Sequence, residues 1–226
     1  MKNRIKAAST DSAVAVMEQP VAANGKAKAK AEPQGFNIPA PSFGLMKITL
    51  VSDSPLIMHK FSAKAQAMIL EKQMKKAQRA KAAKDPEEEY RDSIHWIGDP
   101  ADKKYGFPTI GFKSAAVDAC TQVSGVTKVF ARGAFHVLGE LAEIQGEPHM
   151  RQDMVRLNGM TADVRFRAEF PVWSTELTIR YNRDTISPAQ IANLFNTAGF
   201  SVGIGEWRPA RDGGFGMFHV AAASAT

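Results

Sequence analysis

Arginine, lysine and tryptophan supply the chemistry that stands out in this chain, and they gather in a few places. Near the C-terminus, Gly205-Glu-Trp-Arg-Pro-Ala-Arg-Asp-Gly-Gly214 sets Trp207, Arg208 and Arg211 between flexible glycines. Cations, an aromatic face and exposed backbone N–H groups are what a loop needs to grip a phosphate chain and stack a base. Trp207 has a second reading, as a plug for the core. Lys72, Lys75, Lys76 and Arg79 recur at i, i+3, i+4, i+7 along one helical stripe. Such a stripe is either a solvated face or a rail for phosphates. Arg165, Arg167 and Arg180 occupy the polar positions of two alternating segments. Lys113 opens an expected helix after Pro108, where the helix N-terminus already favours an anion. Its plainer reading is a surface lysine.

Chemistry of other kinds finds little support. His59, His95, His136, His149 and His219 show no His-Glu-x-x-His spacing, so no zinc site is expected and no cofactor is called for. Gly203-x-Gly205 is followed by Pro209 rather than by the opening of a helix, which excludes a dinucleotide fingerprint. No Gly-x-x-x-x-Gly-Lys-Ser/Thr loop and no Gly-x-Ser-x-Gly elbow occurs. Asp53, Asp99 and Asp102 are loop acids that could serve metal-assisted phosphodiester cleavage, but each is ordinarily a turn former or helix cap. An enzyme is not indicated. Cys120, the only cysteine, lies on the apolar side of an expected helix and reads as a buried, inert thiol.

The 226 residues, 44% of them apolar, are enough for one sizeable core with appendages. The net charge of +6 favours a polyanionic partner. Residues 1–40 hold six Lys/Arg against three Asp/Glu, and the remainder holds twenty-three against twenty, so a basic footprint on the folded part must come from clustering. No run reaches the roughly 20 apolar residues of a membrane span, and the N-terminus lacks a secretory apolar core, which points to a soluble cytoplasmic protein.

The elements that would position these residues follow from periodicity. Residues 1–42 read as a flexible basic tail, a mobile arm or a solubilising extension, and 43–226 as the folded domain. Leu45–Val51 alternates as a first strand. Ser62 to about Lys84 reads as one long basic helix with seven Lys/Arg and a single acid, Glu71, and Asp85-Pro-Glu-Glu-Glu89 should end it. Residues 91–110 look irregular, which makes about 62–106 an insertion. Gly111 to Val123 is a second helix, with Phe112, Ala115, Ala116, Ala119 and Cys120 on one side. Asp163–Phe170 and Leu177–Tyr181 alternate strictly and are expected to form a hairpin. Ser187, Pro188 and Gln190 write a capped helix start, Gly199 is expected to end that helix, and Phe200–Ile204 and Phe215–Val220 read as strands. Helices on one face of an antiparallel sheet, in two β–α–β-like halves, predict an α+β fold of ferredoxin-like or RNA-recognition type. That class leaves a sheet face open, and Arg165, Arg167 and Arg180 are expected on it.

Three segments together resemble the RAMP superfamily, and within it the backbone subunits that coat guide RNA in CRISPR effector complexes. The first strand ending in Ser52-Asp-Ser-Pro-Leu56 looks like that family's opening strand and turn. Phe107-Pro-Thr-Ile-Gly-Phe-Lys113-Ser-Ala-Ala is similar to its turn into a helix. Gly203-Ile-Gly205 through Arg208, Arg211 and Gly213-Gly-Phe-Gly216 resembles its C-terminal glycine-rich loop. The chain departs from the pattern at Asp118, where the family often carries Arg, and in the long lysine helix, which is not part of the common core. The resemblance implies lateral self-association into a filament and backbone-directed binding of single-stranded nucleic acid, RNA before DNA, alone or among other subunits of a ribonucleoprotein. Its competitors are a single-stranded DNA-binding protein of phage-type replication or recombination, a metal-dependent ribonuclease on the same fold, and a structural assembly protein.

Overall fold

The computed structural model describes residues 37–75, 83–157 and 161–222, and the chain divides into two units, Met1–Pro39 and Ala40–Thr226. Residues 37–39 of the first unit form no regular element. In chain order the second unit contains β1 (Phe43–Ser52), β2 (Leu56–Met58), α1 (Ala63–Gln73), α2 (Pro86–Asp92), β3 (His95–Trp96), β4 (Tyr105–Pro108), α3 (Thr109–Ala119), α4 (Lys128–Ala134), β5 (Phe135–Val137), β6 (Leu141–Ile144), β7 (His149–Leu157), β8 (Thr161–Phe170), β9 (Ser174–Asn182), α5 (Pro188–Ser201) and β10 (Phe218–Val220).

Alternation of apolar residues places Ile48 and Leu50 of β1 and Leu177, Ile179 and Tyr181 of β9 on one buried face. These strands lie in a four-stranded sheet of order β10-β1-β9-β5, antiparallel throughout. With α3 between β1 and β5, and α5 between β9 and β10, the connectivity is β-α-β-β-α-β. The fourth, first, third and second strands stand side by side, which is the ferredoxin-like arrangement. The fold is thus α+β with helices over one face, as the sequence predicts. Phe112, Ala115, Ala116 and Ala119 of α3 and Ile191, Leu194, Phe195 and Ala198 of α5 fill that face. Burying each large apolar side chain there contributes about 1.5–3 kcal/mol.

Two smaller sheets flank this core, β2-β8-β7 and β3-β4-β6. Aromatic side chains tie them together. Trp96 meets Tyr105 at 5.5 Å between ring centroids, Tyr105 meets Phe170 at 5.3 Å, and Phe112 and Trp173 both pack edge-on against Phe218 at 6.2 and 6.1 Å.

Several sequence expectations are corrected here. The strands at Asp163–Phe170 and Leu177–Tyr181 do not pair with one another. β8 pairs with β2 and β7, whereas β9 pairs with β1 and β5. Trp173 turns the chain from one sheet to the other: its backbone N–H donates to the Ser52 Oγ and its indole N–H to the Ser54 carbonyl, both at 3.0 Å. Alternation identifies the buried face of β9 correctly, but in β8 Val164 is exposed and Arg167 buried, and alternation carries no information on which neighbour a strand takes.

Gly199 does not end its helix. α5 runs on to Ser201, and the expected strand at Phe200–Ile204 is its last turn and the loop beyond. A Cβ at Gly199 would collide with the Phe218 carbonyl oxygen, so this glycine marks close approach of helix and strand rather than a stop.

The described helix of the lysine-rich segment is α1, which ends at Gln73, with Lys75 in the left-handed region at φ 55. Lys76 and Arg79 lie outside the described residues. Asp85 begins a helix instead of ending one. Its side chain accepts from the Glu87 and Glu88 N–H groups, Pro86 takes the first helical position, and Glu87, Glu88 and Glu89 complement the dipole. The stretch expected as irregular holds β3, β4 and a short 3₁₀ turn at Pro100–Asp102. α2 and the residues flanking it then finish the exposed edge of β8, which continues past the end of β2. The Ser93 Oγ accepts the Ala168 N–H at 2.9 Å, Glu89 accepts the Phe166 N–H at 3.4 Å, and Lys84 donates to the Val164 carbonyl. Side chains here replace a missing strand.

Candidate nucleic-acid interface

The glycine-rich segment after α5 is folded tightly rather than hanging free. Its N–H groups at Glu206 and Gly216 donate to the Ile57 and Pro55 carbonyls at 3.0 and 2.7 Å, which fastens the loop to β2 and the turn before it. Gly205, with φ +75, lies where a Cβ would stand 2.5 Å from the Ile57 carbonyl oxygen. Trp207 itself adopts φ 50, an uncommon conformation for a bulky residue.

Trp207 reaches over the charged face of the β7–β8 hairpin. Its ring lies 5.3 Å from the Arg151 guanidinium and 5.9 Å from that of Arg167. Phe215 packs beside it at 6.1 Å and also meets Arg151, at 4.8 Å. Trp207 is therefore braced on cations at the surface of the hairpin. Arg151 stands directly across from Arg167 in the strand register. Two like charges opposite one another are held by acids: Arg151 donates to Asp153 at 2.8 Å and to Glu169 at 3.0 Å, and Arg167 approaches Asp153 to 3.7 Å. Alternation in β7 puts Arg151 and Asp153 on one side, and this is the signal by which Arg151 was legible in the sequence, though sequence reasoning passed over it.

Arg208 and Arg211 follow Trp207 into a 3₁₀ turn, Pro209–Arg211. Arg208 donates to the Gly205 carbonyl at 3.1 Å, and Arg211 is exposed at the outer end of the loop. Glu206, also missed by sequence reasoning, receives a 3.2 Å contact from the His59 Nδ1. That hydrogen bond, aided by the fields of Arg167 and Arg208 and opposed by burial, holds its carboxyl below the ordinary carboxylate range.

The remaining sequence-predicted residues are dispersed. Arg180 lies on the open sheet face, with its guanidinium 4.4 Å from the centre of the Phe43 ring. Leu45 and His136 are its neighbours across the strands. Arg165 and Arg167 are not on that face. They belong to β8 in a separate sheet, where Arg165 is paired with Asp163 at 2.7 Å and Arg167 is buried. Lys72 and Lys75 are exposed on and just after α1. A groove of about 610 Å³ runs between that helix, α2 and β8, and His59, Lys60, Arg165 and Arg167 contribute to its lining. Acids from α2 and β8 balance several of its cations, with Lys64 paired to Glu88 and Lys84 to Glu89 and Asp163.

Lys113 is turned inward, a correction to its expected place at an anion-binding helix start. Its ammonium donates to the Ala131 carbonyl at 2.6 Å and to the Phe135 carbonyl, and sits 3.5 Å from the Phe135 ring centre. Burial pulls its pKa down to about 8. It is a strut joining α3 to α4 and β5.

Of the three loop acids, Asp99 accepts the Ala101 N–H at 2.8 Å as a cap, and Asp53 pairs with His219 at 2.6 Å. Among the described residues no group of three or more His, Cys, Asp and Glu could hold a metal ion, and no helix is long and apolar enough to cross a membrane. No protein-family model matches this chain, and no curated protein matches it in sequence.

Proposed function

We propose that this protein binds single-stranded nucleic acid, RNA in preference to DNA, without cleaving it, and coats the strand as a cytoplasmic relative of the RAMP superfamily's backbone subunits. The observation that carries the reading is the loop at Gly205–Gly214. Trp207 and Phe215 are braced on Arg151 and Arg167, and Arg208 and Arg211 follow directly. Aromatic faces set among guanidinium groups suit stacked bases and a phosphate backbone of any sequence. Phe43 and Arg180 on the open sheet face offer the same pairing a second time.

Copies assemble head to tail along the strand. α1 supports this part of the reading, because Met68, Ile69 and Leu70 on it and Met74 just after it are all about half exposed near Lys72. A helix that leaves three large apolar side chains in water, with a fourth just past its end, gains by meeting a neighbour. A heterologous contact made there, repeated without closing, gives a filament.

The test is fluorescence anisotropy of labelled oligouridylate, oligoadenylate and the matching DNA strands across a salt series. Similar affinities for all sequences, falling steeply with salt, are expected. Affinity that does not change with salt overturns the proposal. Light scattering across oligonucleotide lengths checks assembly: mass should rise in even steps, and a single bound monomer at every length removes the filament.

A further inference from the structure

Among the described residues, exposed strand edges are closed in several ways. In β10 the Val220 N–H donates to Asn196 Oδ1 at 2.7 Å, and in β5 the Phe135 carbonyl accepts from Lys113. The Ile57 carbonyl of β2 accepts the Glu206 N–H, and Ser93, Glu89 and Lys84 finish β8. β7 is different. It pairs with β8 along one edge, and no described residue hydrogen-bonds to the backbone of the other. That bare edge runs nine residues, His149–Leu157, or about 30 Å. An open edge of such length is a template for a further strand, and folds that avoid one blunt it.

The side chains of β7 sort onto two faces. Arg151 and Asp153 share a side with Arg167 and Glu169, and Arg151 is held there by Asp153 and Glu169. The charges that would deter a second strand are thus occupied within the hairpin. Met150, Gln152 and Met154 lie on the other side, opposite Ala168, Phe166 and Val164 of β8. Met150 is 39% exposed and Met154 70%, an apolar row left in water beside an open ladder.

We propose that the β7 edge is an interface with a second copy of this chain, whose own β7 pairs with it antiparallel about a two-fold axis at Gln152. The sequence of the strand selects that register. With Gln152 opposite itself, Met150 faces the partner's Met154, and Arg151 faces the partner's Asp153. His149 then faces Val155, so no two like charges oppose one another. Centring the axis on Arg151 or on Asp153 sets that charge against its own copy. A slip of one residue lays the charged face of one hairpin beside the methionine face of the other. The contact uses the same patch on both copies and closes as a dimer, joining β2-β8-β7 of each copy into one six-stranded sheet. It is independent of the strand-binding reading and of the contact made by α1. Where the α1 contact forms as well, the dimer ties two filaments side by side.

The experiment uses the full chain, freed of nucleic acid, in sedimentation equilibrium across a concentration series. The parent is expected at twice the mass of one chain. Met154→Lys should raise the dimer dissociation constant about tenfold or more, since the axis repeats each lost contact. Adding Met150→Glu to Met154→Lys should restore the dimer, because each new acid then faces a new lysine across the axis. These side chains are exposed, so the variants keep the fold. Gln152→Cys should form a disulfide-linked dimer on oxidation, with the parent as control because its one cysteine, Cys120, is buried. A parent that stays monomeric at every concentration overturns the proposal, as does a dimer that Met154→Lys leaves unchanged. Loss of the dimer without rescue by the paired variant, or no covalent dimer from Gln152→Cys, overturns the two-fold register. With no oligonucleotide present, none of these outcomes bears on strand binding.

Discussion

Gly199 of α5 lies directly against the backbone carbonyl of Phe218 in β10, with no space for a Cβ between them. Helix and strand can approach this closely only because the residue has no side chain, and the approach lets Phe218 reach Phe112 and Trp173 in the core. Mid-helix Gly→Ala ordinarily gains about 1 kcal/mol. Here Gly199→Ala should destabilise the fold by about 1–3 kcal/mol, the range for overpacking. Urea denaturation decides it, and a stabilised variant would rule out this close approach.

Ser93 is 2% exposed and its hydroxyl oxygen is the acceptor for the Ala168 N–H. Ser93→Ala leaves that buried donor empty and should cost about 1–3 kcal/mol. Hydrogen exchange at Ala168 should accelerate at the same time, while the amides of β9 keep their protection. Equal acceleration in both strands would place the effect elsewhere.

Lys113 gives a pH signature whose sign is fixed. Its folded pKa, lowered by burial to about 8, is below the ordinary 10.5, so in that window the unfolded chain holds a proton the folded chain has released. The group's contribution to stability is therefore weakest below pH 8 and grows as pH rises toward 10.5. Lys113→Met should remove this rise, seen as a flatter dependence of the denaturation midpoint on pH. A variant that follows the parent across the window would refute the inward placement of the ammonium.

Replacing Arg208 and Arg211 together with Ala should leave the fold intact, because neither side chain is buried. Binding of single strands should weaken, and the slope of log affinity against log salt should fall by about 0.7 for each phosphate that the variant no longer neutralises. An unchanged slope would take the loop out of the interface.

Much that is local was legible in the sequence. The capping box at Ser187 and Gln190 is present in both directions, with 2.9 Å from the Ser187 N–H to Gln190 and 3.3 Å from the Gln190 N–H to Ser187. The apolar faces of β1, β9, α3 and α5 were equally readable, whereas in β8 Val164 is exposed and Arg167 is buried. Caps and periodicities are set by residues a few positions apart, and element order together with right-sided burial then restricts the fold to helices over an antiparallel sheet. Among the site residues, the aromatic and arginine content of the Gly205–Gly214 loop was also plain.

Tertiary structure alone decided which strands are neighbours, what each glycine is for, and which cations are free. β8 chose β7 over β9, and Ser93 closes the Ala168 amide from 75 positions away. Whether an arginine is exposed, as Arg211 is, or buried with unmade bonds, as Arg167 is, depends on acids and rings brought up from other elements. Those partners lie far off in sequence, and no local pattern encodes them. Periodicity specifies the face a residue takes, while the identity of what covers that face is a property of the assembled core.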